Sequence, residues 1–292
     1  MRFIKNMLVD DFINFLRCPD CKSDVERLNF NLHCTNCGRE YHIYGKICID
    51  MLPSQKFIRS GKTEIEKRSI EIYNKLFDEP FIQKQEPKPW GLEAPKGYLS
   101  KLNKHKYIVD KLLPSKIEKF IDVSAGSGRF TFEVSPRADI CVLCDISVDS
   151  VLYLTKKVKE KNRKNILIIR ADYTSQPFKE GTFDVCVCND TLIYGPEHEK
   201  KLLSSIYEIV GKDGVSILDF SNKYHRGFYH KPYTFGYVIV DMIRMLEATG
   251  FKIKKIVPLY YELSRDLEER RILSKLIKLI LPPTRYVFRV AI

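Results

Sequence analysis

The chain has 292 residues, of which 44% are hydrophobic, and its 49 Lys and Arg residues against 37 Asp and Glu residues give a formal net charge of +12. No run of about 18 apolar residues exists, which excludes a transmembrane helix, and charged residues come too early at the amino terminus for a signal peptide. We therefore expect a cytoplasmic protein with one large and one smaller domain and no stable membrane insertion. In a reducing compartment the nine cysteines are expected to serve a purpose other than disulfide formation. The sequence carries no signal for an oligomeric state.

The basic charge has two interpretations. Lysines and arginines concentrate in two stretches, 96–116 and 156–164. A basic surface of this kind permits nucleic-acid binding. The alternative is that these residues form solvated helix faces without a partner.

Two Cys-x-x-Cys pairs predict a metal site near the start of the chain. Four cysteines at this spacing, separated by 12 residues, favour a closed tetrahedral site that holds structural Zn²⁺ through four thiolates. His33 and His42 are the alternative ligands. The pattern predicts a hairpin over 25–33 and a further strand over 41–52. The apolar-rich residues 8–17 could pack against this module. The predicted ligands are Cys18, Cys21, Cys34 and Cys37.

The residues after the last cysteine carry a resemblance. Gly38-Arg-Glu-Tyr41, followed by Ile47, resembles the Trm112-like zinc domains and the zinc heads of some ribosomal RNA guanine methyltransferases. Both prolines and the Asp-Gly of that pattern are changed here, so the resemblance implies metal binding but no particular partner. We place a Trm112-like zinc-ribbon module at 1–53, a helical and loop linker at 54–103, and a large domain at 104–292.

The linker contains a predicted helix over 64–77 and then a stretch rich in proline and glycine over 86–97. It is a candidate lid over a ligand site, with Tyr73, Trp90 and Tyr98 either lining that site or packing the domains together. A predicted helix over 98–113 leads into the large domain.

A loop of small residues follows the first strand of the large domain. The apolar run 120–123 predicts a buried strand, and a helix follows the loop Ser124–Gly128. Few Cβ atoms in such a loop let a ligand approach the backbone at the carboxyl end of a parallel strand. The loop has two glycines where a dinucleotide fingerprint has three, and Asp122 would repel a pyrophosphate. A neutral or cationic nucleoside therefore suits the loop better.

The segment Asp122-Val-Ser-Ala-Gly126-Ser-Gly128 resembles the first motif of the class I S-adenosylmethionine-dependent methyltransferases, over about 104–292. Ser124 stands in place of the first glycine, which is acceptable if its backbone angles are ordinary. The resemblance implies an α/β fold with a Rossmann-like seven-stranded methyltransferase sheet, whose last strand is antiparallel, beside the small zinc ribbon.

Three further strands are predicted at 140–145, 166–173 and 184–190, and polar residues end them. By resemblance, Asp145 binds the ribose hydroxyls, Asp172 accepts from the adenine amino group, and Asn189 lies near the reactive methyl. A helix cap is the alternative role of Asp172. The predicted cofactor residues are Asp122, Ser124, Ala125, Gly126, Gly128, Asp145, Ile146, Asp172, Tyr173 and Asn189.

The remaining pattern predicts a helix over 197–210, a turn at 211–214 and strands at 215–220, 251–259 and 286–292, with a helix at 238–246. An apolar stripe over 273–281 is a helix that packs on its own domain or touches a membrane surface. The segment 224–233, rich in donors and aromatic rings, either forms part of the substrate site or is a plain surface loop. The candidate catalytic residues are His225, His230 and Tyr194.

Three functions remain open. The first is a methyltransferase acting on ribosomal or transfer RNA, which the zinc module and the basic charge favour. The second is methylation of a small metabolite, and the third is a binding or scaffold protein that retains cofactor binding. The chain lacks an Asn-Pro-Pro-Tyr motif, which weighs against adenine N6 as the acceptor, and lacks a Pro-Cys or Thr-Cys pair for cytosine C5.

Overall fold

The computed structural model describes residues 9–44, 47–54, 105–224, 235–259, 283 and 285–292. Several predictions lie outside these residues: the helix at 64–77, the proline-rich stretch at 86–97, the stripe at 273–281, and the side chains of Tyr73, Trp90, Tyr98, His225 and His230. None of the described helices is long and apolar enough to cross a membrane.

Seven strands form the predicted Rossmann-like sheet. Their order is β7-β6-β5-β8-β9-β11-β10, and β11 runs antiparallel to both of its neighbours. Both faces are buried, because Ile121 and Val123 point into one hydrophobic core while Phe120 points into the other. The strands are β5 (Ile117–Val123), β6 (Ala138–Asp145), β7 (Ile166–Arg170), β8 (Phe183–Leu192), β9 (Val210–Ser221), β10 (Lys252–Leu259) and β11 (Arg285–Ala291).

Four strands of the cysteine-rich module continue this sheet, which has 11 strands within the described part of the chain. They are β1 (Val25–Leu28), β2 (Asn31–Cys34), β3 (Glu40–Tyr44) and β4 (Cys48–Asp50). The hairpin predicted at 25–33 is confirmed. The first three strands form an antiparallel meander, and β4 pairs in parallel with β7. The module thereby covers the β7 edge, whose backbone N–H and C=O groups would otherwise be unpaired.

The helices predicted after the glycine loop, over 197–210 and over 238–246 are confirmed, and a further helix follows the second strand of the large domain. Ser147 caps the helix Val148–Glu160 by accepting the Ser150 N–H at 3.3 Å, and Gly250 ends the helix Ile239–Thr249 with a left-handed φ of 105°. The α-helices are α1 (Val9–Phe12), α2 (Arg129–Val134), α3 (Val148–Glu160), α4 (Pro196–Ile209) and α5 (Ile239–Thr249), with 3-10 turns at Ile13–Phe15, Ser135–Arg137 and Tyr173–Ser175 and a π-helical turn at Ile108–Leu112.

One local expectation differs from the structure. The turn expected at 211–214 lies within β9, where a register shift places Val210 opposite Phe183 and Val215 opposite Val185, with Asp213 at a φ of 70°. The expectation that residues 8–17 pack against the module is confirmed for the described residues, since Arg17 pairs with Asp24 and Asp10 contacts Arg27, and Phe12 also packs on Phe178 and Phe183 of the large domain at ring-centroid distances of 6.5 and 6.1 Å.

Candidate active site and metal centre

The four predicted cysteine ligands come together. Their sulfur atoms all lie within 4.8 Å of one another, with Cys18 Sγ 3.7 Å from Cys37 Sγ and Cys21 Sγ 3.4 Å from Cys34 Sγ. Zn–S bonds of about 2.3 Å in a tetrahedron place sulfurs roughly 3.8 Å apart, so the four thiols fit Zn²⁺. Neither His33 nor His42 belongs to this group, and His42 Nδ1 is 2.8 Å from Asn31 Oδ1.

Donors surround these sulfurs. The Tyr41 hydroxyl is buried and lies 2.9 Å from Cys18 Sγ, while the Cys21 and Cys37 N–H groups donate to Cys18 Sγ and Cys34 Sγ at 3.5 Å each. Hydrogen bonds of this kind stabilise the negative charge of thiolates and fix their orientation around a metal. The arrangement therefore suits a closed structural site.

The first cysteine pair lies directly against the large domain. The Arg17 N–H donates to Pro177 O at 2.8 Å, and the Arg17 guanidinium contacts Glu208 Oε1 at 2.6 Å. Glu208 Oε2 also accepts from Gln176 Nε2 at 3.0 Å. On the other side, Arg170 at the end of β7 contacts Asp50 Oδ2 at 2.9 Å. The module thus holds both ends of the segment that carries Asp172.

The glycine loop has three left-handed residues. The φ angles are 58° at Ser124, 53° at Gly126 and 71° at Gly128. Ser124 therefore does not have the ordinary backbone angles that we expected for a serine replacing glycine. This conformation costs a residue with a side chain roughly 1–2 kcal/mol.

The two glycines should respond differently to substitution by alanine. A Cβ on Gly128 would lie 2.8 Å from Phe132 and 2.9 Å from Leu154, whereas none of the described atoms lies within 4 Å of a Cβ on Gly126. We expect Gly128→Ala to lower the free energy of unfolding by about 2–3 kcal/mol. Gly126→Ala should cost only about 1 kcal/mol of stability, yet weaken binding of a ligand that approaches the loop. Urea denaturation measures the free energy of unfolding of each variant. Equal losses of stability in the two variants would contradict the prediction.

Asp122 is buried behind the loop. Its Oδ2 accepts the Thr131 hydroxyl at 2.9 Å and the Thr131 N–H at 3.3 Å, which ties β5 to the first turn of α2. Burial raises the pKa of the Asp122 carboxyl to about 7, although both Thr131 hydrogen bonds oppose the shift.

The raised pKa of Asp122 predicts a pH effect on stability. Below about pH 3.8 the Asp122 carboxyl is protonated in both the folded and the unfolded state. Between pH 3.8 and 7 it is protonated only in the folded state, so the stability that this proton contributes falls as pH rises. From pH 5.5 to 8.0 the loss should be about 2 kcal/mol. Asp122→Asn removes the titration, so the unfolding free energy of the wild type minus that of the variant should fall by this amount. A difference independent of pH would contradict the prediction.

Asp145 links the second strand to the glycine loop. Its Oδ2 accepts the Gly126 N–H at 2.8 Å and its Oδ1 accepts the Ser147 N–H at 2.9 Å. Burial raises the pKa of the carboxyl, and the hydrogen bonds oppose that shift. Gly126 O in turn accepts the Ser150 hydroxyl at 2.8 Å. The predicted ribose ligand and the predicted loop therefore form one unit, next to the partly exposed Ile146.

Asp172 and Tyr173 lie at the carboxyl end of the neighbouring strand. Asp172 Oδ1 accepts the Thr174 N–H at 3.0 Å and the Thr174 hydroxyl at 2.7 Å, so it caps the 3-10 turn that follows. This is the capping role that we kept as an alternative. The Ala125 N–H donates to Cys144 O at 3.1 Å, which holds the glycine loop beside β6.

Sequence reasoning missed an ionic network at the end of β8, in which Asp219 and Arg285 are buried and Asp190 is partly exposed. Arg285 contacts Asp219 Oδ2 at 2.5 Å and Asp190 Oδ1 at 2.9 Å, and Asn189 Nδ2 donates to Asp190 Oδ2 at 3.0 Å. Burial raises the pKa of the Asp219 carboxyl to about 6, and Arg285 opposes this shift. The weak signal was Arg285 at the start of the last predicted strand, beside two prolines.

Tyr194 is the one candidate catalytic residue within the described part of the chain. It is buried and packs edge-on against His198 with ring centroids 4.7 Å apart, while His198 packs on Tyr173 at 5.7 Å. Glu199, fully buried, accepts the Tyr194 N–H at 2.8 Å. Burial raises the pKa of the Glu199 carboxyl to about 7.

Comparison with known proteins agrees with this architecture. Residues 120–214, about a third of the chain, match the sequence profile of a family described as "Methyltransferase domain". A search of curated proteins finds no significant match.

Solved structures share the fold at low sequence identity. The N-methyltransferase NodS of Bradyrhizobium japonicum, in complex with S-adenosyl-L-homocysteine, is 12% identical with a TM-score of 0.55, covering 77% of this chain and 96% of its own. A SAM-dependent methyltransferase of Archaeoglobus fulgidus is 18% identical with a TM-score of 0.52, covering 74% and 100%. The [4+2]-cyclase SpnF is 13% identical with a TM-score of 0.52, covering 66% and 80%. The chain therefore has the Rossmann-like methyltransferase fold.

Proposed function

We propose that this chain is an S-adenosylmethionine-dependent methyltransferase whose Trm112-like amino-terminal module binds structural Zn²⁺. The observation that carries the proposal is the contact of Asp145 with the Gly126 N–H at the carboxyl edge of the sheet. A carboxylate at the end of a second strand, beside a loop open to a ligand, suits a ribose. SpnF has the same fold and is a cyclase, so the site has to support the reaction and the fold alone does not.

The residues present fit the nucleoside cofactor. No described atom lies within 4 Å of where a Gly126 Cβ would stand, so the loop leaves room for a close approach. Gly126 and Gly128 would line the cofactor, Asp145 with Ile146 would hold its ribose, and Asp172 with Tyr173 would flank its adenine. The buried Asp122 would act through Thr131, by fixing the loop, rather than by contact.

The cofactor would supply a methyl group on a sulfonium that is already a good leaving group. The chain's own task is then to bind, align and exclude water. Asp145 orients the loop through Gly126, and the Ala125 N–H, which donates to Cys144 O, holds the loop beside β6. Asn189, at the end of β8, lies on the side of the sheet edge where the acceptor would enter.

RNA is the acceptor that we propose. The zinc module exposes Phe30 at 80% and Tyr44 at 51%, and His42 packs against Tyr44 at 4.5 Å. Exposed rings on a basic protein suit stacking of unpaired bases. We further propose that the protein acts in the cytoplasm, where its thiols stay reduced.

Calorimetry with S-adenosylhomocysteine on zinc-loaded protein tests the cofactor proposal, and the absence of binding would refute it. The acceptor is tested with methyl-labelled cofactor and two fractions of a cell extract, total RNA and small metabolites. We expect label in RNA, together with RNA binding that weakens steeply with salt. Label only in the metabolite fraction would favour the second candidate, and label in neither fraction would favour a binding or scaffold role.

A further inference from the structure

Helix α3 covers one face of the sheet as far as strand β4. Cys48 of β4 is buried in the same hydrophobic core as Val151, Leu154 and Val158 of α3. Burial raises the pKa of the Cys48 thiol to about 11, and the positive charge of Lys159 opposes this shift, so Lys159 lies within electrostatic range of β4. The carboxyl-terminal half of α3 therefore lies beside the cysteine-rich module.

The next three strands leave the same face of the sheet open. Tyr44 of β3 is paired with Cys48, so the two side chains point to one side of the sheet with Cβ atoms about 5 Å apart. His42 follows on that side and pairs with Asn31 of β2, which pairs with Leu28 of β1. Tyr44 is 51% exposed and Leu28 is 52% exposed, and the His42 ring packs against the Tyr44 ring. None of the described helices therefore covers this open face, which is formed by Leu28, Asn31, His42 and Tyr44.

The end of α3 and the loop after it carry an excess of positive charge. The stretch 156–164 holds six lysine or arginine residues and one acid, Glu160, whose carboxylate lies 3.8 Å from Lys156 Nζ. Lys159, Lys161 and Lys164 are exposed, and none of them has an acidic partner within 4 Å in the described part of the chain. The protein itself therefore leaves most of this charge available to a ligand.

The acids on the module lie away from these lysines. Glu26 and Glu40 form one row with His33, two residues along the strands from the open face. That row lies toward the carboxyl end of β7, because β3 runs antiparallel to β4 and β4 runs parallel to β7. The last turn of α3 and the loop after it lie toward the amino end of β7, which they precede in the chain. The lysines are therefore beside Tyr44 and not beside the two glutamates.

We propose that the open face and the stretch 156–164 together bind an unpaired strand of the RNA acceptor. This inference rests on the proposed methyltransferase function. One base stacks on the Tyr44 and His42 rings, and the backbone phosphates contact the lysines at the end of α3. A duplex fits this surface less well, because its bases are already stacked on one another and offer no free ring faces.

Fluorescence anisotropy on zinc-loaded, full-length protein tests the inference with a labelled oligouridine of about 12 nucleotides as the probe. The association constant is measured from about 50 to 200 mM salt. In the combined variant Lys159→Gln, Lys161→Gln and Lys164→Gln, the slope of log K against log salt concentration should become shallower by about 2, since each phosphate contact on a single strand contributes roughly 0.7.

Tyr44→Ala should have a different signature. Loss of a stacking ring should weaken oligouridine binding about tenfold at each salt concentration and leave the slope unchanged. Tyr44→Phe retains the ring and should bind oligouridine as wild type does. A tenfold loss in Tyr44→Phe as well would overturn the stacking role.

A second triple variant is the matched control, because it removes the same charge from the other basic stretch. Lys106, Lys111 and Lys116 are exposed, and their segment lies toward the opposite end of the sheet, where Arg289 of β11 donates to Leu112 O at 3.0 Å. Replacing these three lysines by glutamine should leave the slope for oligouridine as in wild type. Equal changes of slope in the two triple variants would overturn the inference, since net charge and not this surface would then control binding.

Other outcomes also decide the matter. Wild type that fails to bind oligouridine at low salt, or that binds an RNA duplex of the same length as tightly, would overturn the inference. So would binding to vesicles that contain phosphatidylserine without binding to oligouridine, which would assign the lysines to a membrane surface. Each of these results leaves the methyltransferase proposal intact, because calorimetry with S-adenosylhomocysteine tests that proposal separately.

Discussion

Replacing Cys34 by serine should abolish tight zinc binding and lower the free energy of unfolding of the module by about 5 kcal/mol or more, since metal ligation provides roughly 10 kcal/mol in small zinc domains. Cys34 is fully buried, and its Sγ accepts the Cys37 N–H. The module has little core of its own, because most of β1 is exposed. Metal content by mass spectrometry and thermal unfolding measure both effects. Cys48→Ser is the control, because Cys48 is buried at β4 but lies outside the thiol cluster.

Loss of zinc should also weaken cofactor binding. The module contacts the segment that follows β7 through Arg17 and Pro177, and its strand β4 pairs with β7 itself. We therefore expect the Cys34 variant to lose hydrogen-exchange protection along β7 and to bind S-adenosylhomocysteine more weakly. One zinc per chain in the variant, with unchanged β7 protection, would contradict this account, whereas Cys48→Ser should retain the metal.

Features encoded by local sequence were predictable. The four thiol ligands follow from the spacing of two short motifs, and the buried strands follow from apolar runs between turn residues. Asp145 could be placed at a strand end because the run before it is uninterrupted. In each case the information lies within a few residues of the feature, so the chain's long-range topology was not needed.

Features that depend on distant pairings were not predictable. Asp190, Asp219 and Arg285 form one network only because β8, β9 and β11 are neighbours in the sheet. The pairing of β4 with β7 likewise requires knowledge of which edge of the sheet is open. The positive φ of Ser124 was also not predicted, because residues with a side chain rarely adopt that conformation.

The largest effect on cofactor binding should come from Asp145. In Asp145→Asn the side chain keeps its volume, but an NH₂ group replaces one of the oxygens that accept from Gly126 and Ser147. The negative charge that would hold two ribose hydroxyls is also lost. Charge-assisted hydrogen bonds contribute about 1.5–3 kcal/mol each, so affinity for S-adenosylhomocysteine should fall roughly 100- to 1000-fold.

Calorimetry measures this loss, and Asp139→Asn provides the comparison, because Asp139 is an exposed aspartate on the same strand, near its amino end. That variant should bind S-adenosylhomocysteine as wild type does. The two substitutions remove the same charge from one strand, so a difference between them reports position and not net charge. If Asp145→Asn weakened binding less than threefold, the ribose would not be held at the end of β6, and the site would have to be sought elsewhere along the sheet edge.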